Sequence, residues 1–243
     1  FGVAINRLVN SPFNSFWAPR RMELLLSDNA EAKRTVARIA TYAVACLCYT
    51  ALLLSAGIES LIEIIADPTY KGAHVVVPFV ALSYVLLGLE MHFSAGILHQ
   101  KKTKWVSYIT FLSVPVVLAW NYLCIPQWGL IGAATSNLAG GVVRVVLIYI
   151  VSQRFYFIPF ELGRIAQLFA TAFVLYLFAQ TITFHSPWAT FFGRLFIVGS
   201  LPLLLFPMRF YHDGELDYAR GLVAKGKDYL GVALPKKSSE DKY

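Results

Sequence analysis

Four polar side chains near the start of the sequence have the spacing of a single helical face. Arg7, Asn10, Ser11 and Asn14 lie at positions i, i+3, i+4 and i+7 of the otherwise apolar stretch Asn6–Arg21. Lipid tails cannot hydrogen-bond them, and a charge at the centre of a membrane helix costs about 2.5–3.5 kcal/mol. We therefore expect this face to line a water-filled cavity or a protein interior, unless its groups satisfy one another in a packed helix.

These residue types are suited to binding an anionic ligand that is rich in hydroxyl groups. The planar guanidinium of arginine donates two hydrogen bonds at once to a phosphate, and asparagine and serine can bind sugar hydroxyls. In a later apolar segment, Arg144 continues a four-residue repeat of small residues with Gly132, Ser136 and Gly140. Small residues in such a row let helices approach closely, so Arg144 should face protein or a cavity rather than lipid.

Several other charged residues also lie in apolar segments. Glu90 lies well inside one, where it requires a partner, a proton or water. It could exchange a proton or bind an ion, or it could form a structural pair with an arginine that the sequence does not identify. Glu59 and Glu63 are one helical turn apart near the end of another segment, and we expect them to be solvated at headgroup level rather than to form an ion site. Arg194 could extend its long side chain to the membrane surface.

The composition indicates the class of protein that must position these residues. Of the 243 residues, 57% are hydrophobic and 14% are charged, whereas a soluble domain has about 25% charged residues. We therefore predict an all-α, polytopic transmembrane helical bundle. The net charge of +7 does not indicate nucleic-acid binding, because the basic residues concentrate in the connections on one side of the predicted membrane.

Seven apolar segments approach the roughly 20 residues that a membrane-spanning helix needs. The predicted spans are Phe1–Ala18, Ile39–Ile65, Ala73–Leu98, Trp105–Leu123, Gly129–Ser152, Leu162–Thr183 and Ala189–Met208. The basic, polar segment Pro19–Arg38 is expected to connect the first two spans, with Met22–Leu26 continuing as a helix along the membrane surface. The uncharged segment Ile125–Trp128 is expected to form a tight turn. After Arg209 we predict a short amphipathic helix at the membrane surface and then a disordered end.

The connections alternate in charge. Those after the first, third and fifth spans, together with the tail, carry the loop lysines and arginines, whereas those after the second, fourth and sixth carry only Lys71. Positively charged loops stay on the cytoplasmic side of a membrane. We therefore predict that the first set of connections and the C-terminus are cytoplasmic.

The sequence contains no motif for catalysis or metal binding. It has no glycine-rich phosphate loop and no cluster of His, Cys and Asp with the spacing of metal ligands. Cys46, Cys48 and Cys124 all lie in apolar segments, where cysteine packs as a small apolar residue. We expect neither an enzyme nor a bound metal or cofactor. Because the chain begins inside an apolar segment without Met, we also expect it to be the C-terminal part of a longer membrane protein.

Five segments carry a recognisable family pattern. They are SPFNSFWAP (Ser11–Pro19), DPTYKGAHVVVPFVAL (Asp67–Leu82), HQKKT (His99–Thr103), NYLCIPQWGLIGAATSN (Asn121–Asn137) and SQRFYFIPFE (Ser152–Glu161). Together they resemble the C-terminal half of bacterial oligosaccharide and polysaccharide flippases, in the multidrug/oligosaccharidyl-lipid/polysaccharide exporter superfamily. The fourth segment is the most specific, through the order and spacing of Asn121, Ile125, Pro126, Gly129, Gly132, Ala133 and Ala134.

The resemblance implies a fold and a domain organisation. Residues 1–152 would be the C-terminal lobe of a fourteen-helix exporter, with its first helix truncated. Residues 153–208 would be two additional transmembrane helices, and residues 209–243 would be the cytoplasmic tail. The N-terminal lobe of the same protein would be missing, so the fragment alone should not transport.

The resemblance also implies a function. A polyprenyl-pyrophosphate-linked oligosaccharide would be moved across the bacterial inner membrane by alternating access, for surface polysaccharide biosynthesis. Arg7 and Arg144 would attract the pyrophosphate, while Asn10, Ser11 and Asn14 would contact sugar or water. Membrane lipids and the polysaccharide polymerase machinery would be further partners, and nucleic acid would not be one.

Three alternatives to the flippase differ in what they require of the sequence. A drug or cation antiporter of the same superfamily would need a cavity rich in carboxylates, whereas this one is basic. A membrane enzyme of glycan assembly would need a large outer loop, and the outer connections here are short. A purely structural subunit would leave Arg7 and Arg144 without an explanation.

Overall fold

The structure, a computed structural model, describes residues 11–65, 68–206 and 210, and for 68–71 it describes the backbone alone. All regular secondary structure in these residues is helical, as predicted. The α-helices are α1 (Ser11–Leu26), α2 (Ala30–Ile65), α3 (Val77–Phe93), α4 (Ala95–His99), α5 (Lys104–Trp128), α6 (Leu130–Phe155), α7 (Leu162–Gln180), α8 (Pro187–Gly199) and α9 (Leu201–Leu205), and a 3₁₀ helix (Pro68–Val75) precedes α3.

Six helical segments are long and apolar enough to cross a membrane. They are Ala30–Ile65, Gly72–His99, Lys104–Trp128, Leu130–Phe155, Leu162–Gln180 and Pro187–Leu205. The predicted all-α, polytopic transmembrane bundle is thereby confirmed. Of the predicted first span, residues 1–10 lie outside the described part of the chain, and so does the predicted tail apart from Phe210.

Helix α2 is the central element of the bundle. It packs against α3 on one side and against α7 and α8 on the other, and it also contacts α1. On the α3 side, α6 packs on α3 and α5 packs on α6. The described residues up to Leu201 belong to one compact unit, and those from Pro202 onward belong to a second. The predicted division of the chain at residue 152 stays a prediction.

The structure confirms the helix predicted at Met22–Leu26, but the second helix begins nine residues before the predicted start of the second span at Ile39. Helix α1 continues through Pro19 to Leu26, and α2 already begins at Ala30. Asn29 explains this early start, because its side-chain Oδ1 accepts a hydrogen bond from the Ala32 backbone N–H at 2.6 Å and so caps the new helix. The basic residues Lys33, Arg34 and Arg38, which the sequence placed in the connection, lie in the first turns of α2.

The predicted turn Ile125–Trp128 is wrong, since α5 remains helical through Pro126 to Trp128. The chain reverses at Gly129 instead. The backbone φ of Gly129 is +53°, a value that residues other than glycine rarely adopt. The predicted close approach of the small-residue row in α6 is confirmed. A Cβ at Gly132 would lie only 2.5 Å from the Cys124 carbonyl oxygen of α5.

Gly132→Ala is expected to lower the thermal stability of the purified protein in detergent. The added Cβ would push α6 away from α5, and overpacking of this kind costs about 1–3 kcal/mol. Gly163→Ala is the matched control, because a Cβ at that helical glycine meets nothing within 4 Å and alanine favours the helix by about 1 kcal/mol. Equal melting temperatures for the two variants would contradict the close approach.

Candidate functional site

Helix α1 presents one buried face to the bundle, formed by Trp17, Arg21 and Leu25. Residues four apart share one side of a helix, and α1 contacts α2 and α4. The Arg21 side chain is therefore drawn into the interior, where the residue is only 2% exposed. Its neighbour Arg20 is exposed and pairs with Glu23 at 2.8 Å.

The Arg21 guanidinium is bound to a main-chain carbonyl at a break in a membrane-spanning segment. Its Nη1 donates to Met91 O at 2.9 Å, and the same oxygen accepts the Ser94 hydroxyl at 2.9 Å. Ser94 separates α3 from α4. Within the described part of the chain, Arg21 forms no ion pair with a carboxylate, so its buried charge is not neutralised there.

Three buried nitrogen atoms around Arg21 have no hydrogen-bond partner among the described residues. They are Trp17 Nε1, Arg21 Nε and His92 Nδ1, and we name the three side chains the Arg21 cluster. The Phe13 ring links its members, with its centroid 6.5 Å from that of Trp17 and 5.9 Å from that of His92. Trp17 Nε1 and Arg21 Nε can only donate, whereas His92 Nδ1 donates in one tautomer and accepts in the other. The cluster therefore holds two buried donors that no described acceptor satisfies.

Buried donors without partners destabilise the folded protein unless an acceptor binds them. A buried donor without a partner costs about 1–3 kcal/mol, and more when it is charged. A buried guanidinium normally has a carboxylate beside it, because the desolvation penalty for an isolated ion is several kcal/mol. The chemistry that would satisfy the Arg21 cluster is an anion with several acceptor oxygens, such as a phosphate group.

The second buried charge site joins α3 to α6. Arg144 Nε donates to Glu90 Oε2 at 3.1 Å, and the two side chains are 26% and 13% exposed. The sequence left two roles open for Glu90. The structure contains the structural ion pair, in which Arg144 is the partner of Glu90. Glu90 is adjacent in sequence to Met91, which binds Arg21, so the two charge sites meet on one turn of α3.

The structure places the other predicted site residues as follows. Arg7 and Asn10 lie outside the described residues. Ser11 is exposed and Asn14 is half-buried in the first turn of α1, and neither is hydrogen-bonded to Arg144. The structure therefore does not join the α1 residues directly to Arg144.

Arg21 was not among the predicted site residues. The signal was present in the sequence, since Arg21 follows the apolar Trp17 by four residues and precedes Leu25 by four. Arg21 was not predicted as a site residue because it belongs to the run of positive charges from Arg20 to Arg38, and such a run is typical of a solvated loop.

A polar network lies at the end of the bundle that carries the basic connections. The Asp28 carboxylate accepts hydrogen bonds from Lys33 at 2.8 Å and from the Tyr156 hydroxyl at 2.7 Å. These bonds, the one from Lys33 first, lower the pKa of Asp28, whereas burial raises the pKa of the Tyr156 hydroxyl. The network ties the turn between α1 and α2 to the segment that precedes α7.

Another ion pair lies toward the opposite end of α2. Arg194 Nη1 donates to Glu59 Oε2 at 2.5 Å, and Arg194 Nε donates to Ile182 O at 3.1 Å. The expectation that Arg194 extends to the membrane surface is wrong, because its side chain is buried against α2. Glu59 is likewise held in a contact between α2 and α8 rather than being fully solvated.

The six apolar helical segments, of which α2 is the central one, are those of a multi-pass membrane protein. No family model, characterised protein or solved structure shows a significant match to this chain.

Proposed function

We propose that this protein is a flippase that moves a polyprenyl-pyrophosphate-linked oligosaccharide across the bacterial inner membrane by alternating access, for surface polysaccharide biosynthesis. The observation that carries the proposal is the Arg21 guanidinium, which is buried within the helical bundle and, among the described residues, lacks a neutralising carboxylate. An uncompensated ionisable group inside a membrane protein marks a ligand or ion pathway by default. The segments that resemble oligosaccharide flippases, quoted above, point to the same class of ligand.

The position of Arg21 along the membrane suits loading from the cytoplasm. Its partner Met91 precedes His99 by eight residues, which is about 12 Å along a helix. His99 begins a connection that carries Lys101, Lys102 and Lys104. The basic connections and the C-terminus are cytoplasmic in this proposal, so the guanidinium lies in the cytoplasmic half of the membrane.

The pair between Glu90 and Arg144 supplies a second arginine near the first. While the pair is intact, Arg144 is neutralised, and its side chain remains partly exposed. A diphosphate at the Arg21 cluster would compete with Glu90 for Arg144, because arginine binds carboxylate and phosphate with the same planar fork. Arg7, Asn10, Ser11 and Asn14 keep their predicted role as contacts to pyrophosphate, sugar or water.

The alternative function, a drug or cation antiporter, receives less support from the same contacts. A cation site in a membrane requires a carboxylate that is free to bind the cation. Glu59 and Glu90 lie in packed helical segments, and each is paired with an arginine. Neither is therefore available as a cation ligand in this conformation.

The proposal is tested with the chain joined to the N-terminal lobe that the resemblance implies, because the C-terminal half alone is not expected to transport. This protein is reconstituted in liposomes that contain a polyprenyl-diphosphate oligosaccharide with a fluorescent sugar. We expect the sugar to move between leaflets faster than in protein-free liposomes, as measured by its access to an impermeant quencher. A phospholipid that carries the same fluorophore on an uncharged headgroup is the control, and its movement should not respond to the protein.

Two results would contradict the flippase. The first is a rate for the diphosphate lipid that equals the rate in protein-free liposomes. The second is equal acceleration of the diphosphate and uncharged lipids, which would indicate a leak rather than recognition. Uptake of a cationic dye driven by an ion gradient, without movement of the diphosphate lipid, would favour the antiporter.

A further inference from the structure

A cavity of about 650 Å³ lies between α2, the segment that contains the 3₁₀ helix and α3, and α7. Its wall comes from residues Cys48 to Glu59 of α2, residues His74 to Val85 of the second segment, and residues Phe169 to Gln180 of α7. The size is within the range of ligand pockets, roughly 300–1,000 Å³. None of its lining residues belongs to the Arg21 cluster or to the pair between Glu90 and Arg144.

The cavity is apolar along most of its length and polar at one end. Leu52, Phe79, Leu82, Val85 and Phe169 line the apolar part. Four polar residues lie toward the C-terminal ends of α2 and α7 and where the 3₁₀ helix leads into α3, namely Glu59, His74, Tyr176 and Gln180. Ser55 also lines the cavity, but its hydroxyl donates to Ala51 O within α2. A lining of this kind matches an amphiphile with its chain along the helices and its polar group at their ends.

The length of the cavity matches one leaflet of a membrane. From Cys48 to Glu59 the wall advances by eleven residues of α2, which corresponds to about 16 Å at 1.5 Å per residue. The wall on α7 advances by the same number of residues. The hydrocarbon core of a bilayer is about 30 Å thick, so a chain of one leaflet would occupy the cavity from end to end.

Among its described lining residues, the polar end has no unpaired carboxylate that would select a lipid by a purely cationic headgroup. Arg194 neutralises Glu59 through its 2.5 Å contact. The other side chains at this end are His74, whose Nε2 lies 4.0 Å from Glu59 Oε1, and Tyr176 and Gln180, which are joined by a hydrogen bond from Gln180 Nε2 to the Tyr176 hydroxyl at 2.9 Å. Such groups can bind the ester and phosphate oxygens of a glycerolipid.

The cavity reaches the surface of the bundle at Phe173, which lines it and is itself an exposed residue of α7. An isoprenoid carrier is a poorer occupant, because its methyl-branched chain is much longer than one leaflet and the described wall ends at Cys48 and Val85.

We propose that this cavity is a binding site for one acyl chain of a membrane phospholipid, with the glycerol ester at Tyr176 and Gln180 and the chain end near Cys48 and Val85. The polar end lies with the connections that lack basic residues apart from Lys71. The lipid therefore belongs to the leaflet on that side of the membrane. The site is independent of the flippase proposal, because it uses neither the buried arginines nor the oligosaccharide.

Photocrosslinking tests the site. The protein is reconstituted in vesicles of phosphatidylethanolamine and phosphatidylglycerol that contain a phosphatidylethanolamine with a diazirine on its acyl chain. A diazirine at the chain end should label peptides that contain Cys48 and Val85, and a diazirine next to the ester should label the peptide that contains Tyr176 and Gln180. This pattern is measured in the unmodified protein by mass spectrometry.

Ala172→Trp fills the cavity and should reduce labelling at Cys48 and Val85 several-fold. The matched control is Ala170→Trp, since Ala170 is exposed on the same helix and does not line the cavity. Labelling that is the same for both diazirine positions, or that Ala172→Trp leaves unchanged, would overturn the proposal. Stronger labelling by a polyprenyl-phosphate diazirine than by the phospholipid would overturn the acyl assignment. Labelling needs no transport, so its failure is distinguishable from failure of the flippase proposal.

Discussion

Arg21→Ala is expected to lower the rate of lipid-linked oligosaccharide transport about 10- to 100-fold, because a hydrogen bond to a charged group contributes about 1.5–3 kcal/mol. The variant should remain folded, since the substitution leaves no opposite charge without its partner. Arg21→Lys keeps the charge but loses the planar fork, so an intermediate rate is expected. The measurement is the rate of sugar movement between leaflets in liposomes with equal amounts of each variant, each joined to the N-terminal lobe that the resemblance implies.

The matched control for this prediction is Arg20→Ala. Arg20 is the preceding residue in α1, but it is exposed and bound only to Glu23 across a single helical turn. Exposed ion pairs contribute about 0–1 kcal/mol, so transport should stay close to the unmodified rate. An unimpaired rate for Arg21→Ala would remove Arg21 from the site, and an equal loss in both variants would point to a general effect of charge.

Breaking the pair between Glu90 and Arg144 from one side should destabilise the protein by about 2–3 kcal/mol, somewhat below the 3–5 kcal/mol of a fully buried pair. Glu90→Gln leaves the partly buried Arg144 without its counter-charge, and Arg144→Gln does the converse. The double variant should be less destabilised than the sum of the two, because two glutamines can hydrogen-bond. The coupling free energy is obtained from thermal unfolding of the three variants in detergent, and we expect at least about 1 kcal/mol.

An exposed ion pair on α1 provides the comparison. Arg20 and Glu23 lie 2.8 Å apart with both side chains 63% exposed, so the same cycle of glutamine substitutions should give a coupling near zero. A coupling for Glu90 and Arg144 no larger than for this exposed pair would mean that the buried contact is not maintained in solution.

Local features of the sequence predicted much of the fold. Long apolar segments identified the spans because a membrane helix must be about 20 residues long and apolar. The four-residue repeat that contains Gly132 and Gly140 predicted the close approach of α6, since small residues at helical spacing form one face. The requirement that a buried carboxylate has a partner anticipated a pair for Glu90.

Contacts between distant residues could not be predicted in the same way. Glu90 and Arg144 are separated by two other helices in the sequence, and Glu59 and Arg194 by most of the chain. Only the packing of α2 against α3 and α8, and of α3 against α6, brings these groups together. Arg21 was missed for a different reason, because local charge density outweighed the helical spacing of its apolar neighbours.

The continuity of α2 has a mechanical consequence. Its 36 residues form a rod of about 54 Å, well beyond the roughly 30 Å of the hydrocarbon layer. A rod without a hinge acts as a lever, so a tilt of roughly 10° displaces one tip by about 9 Å relative to the other. A displacement of the N-terminal end of α2, where α1 adjoins it, would therefore also move the C-terminal end of α2, near Arg194.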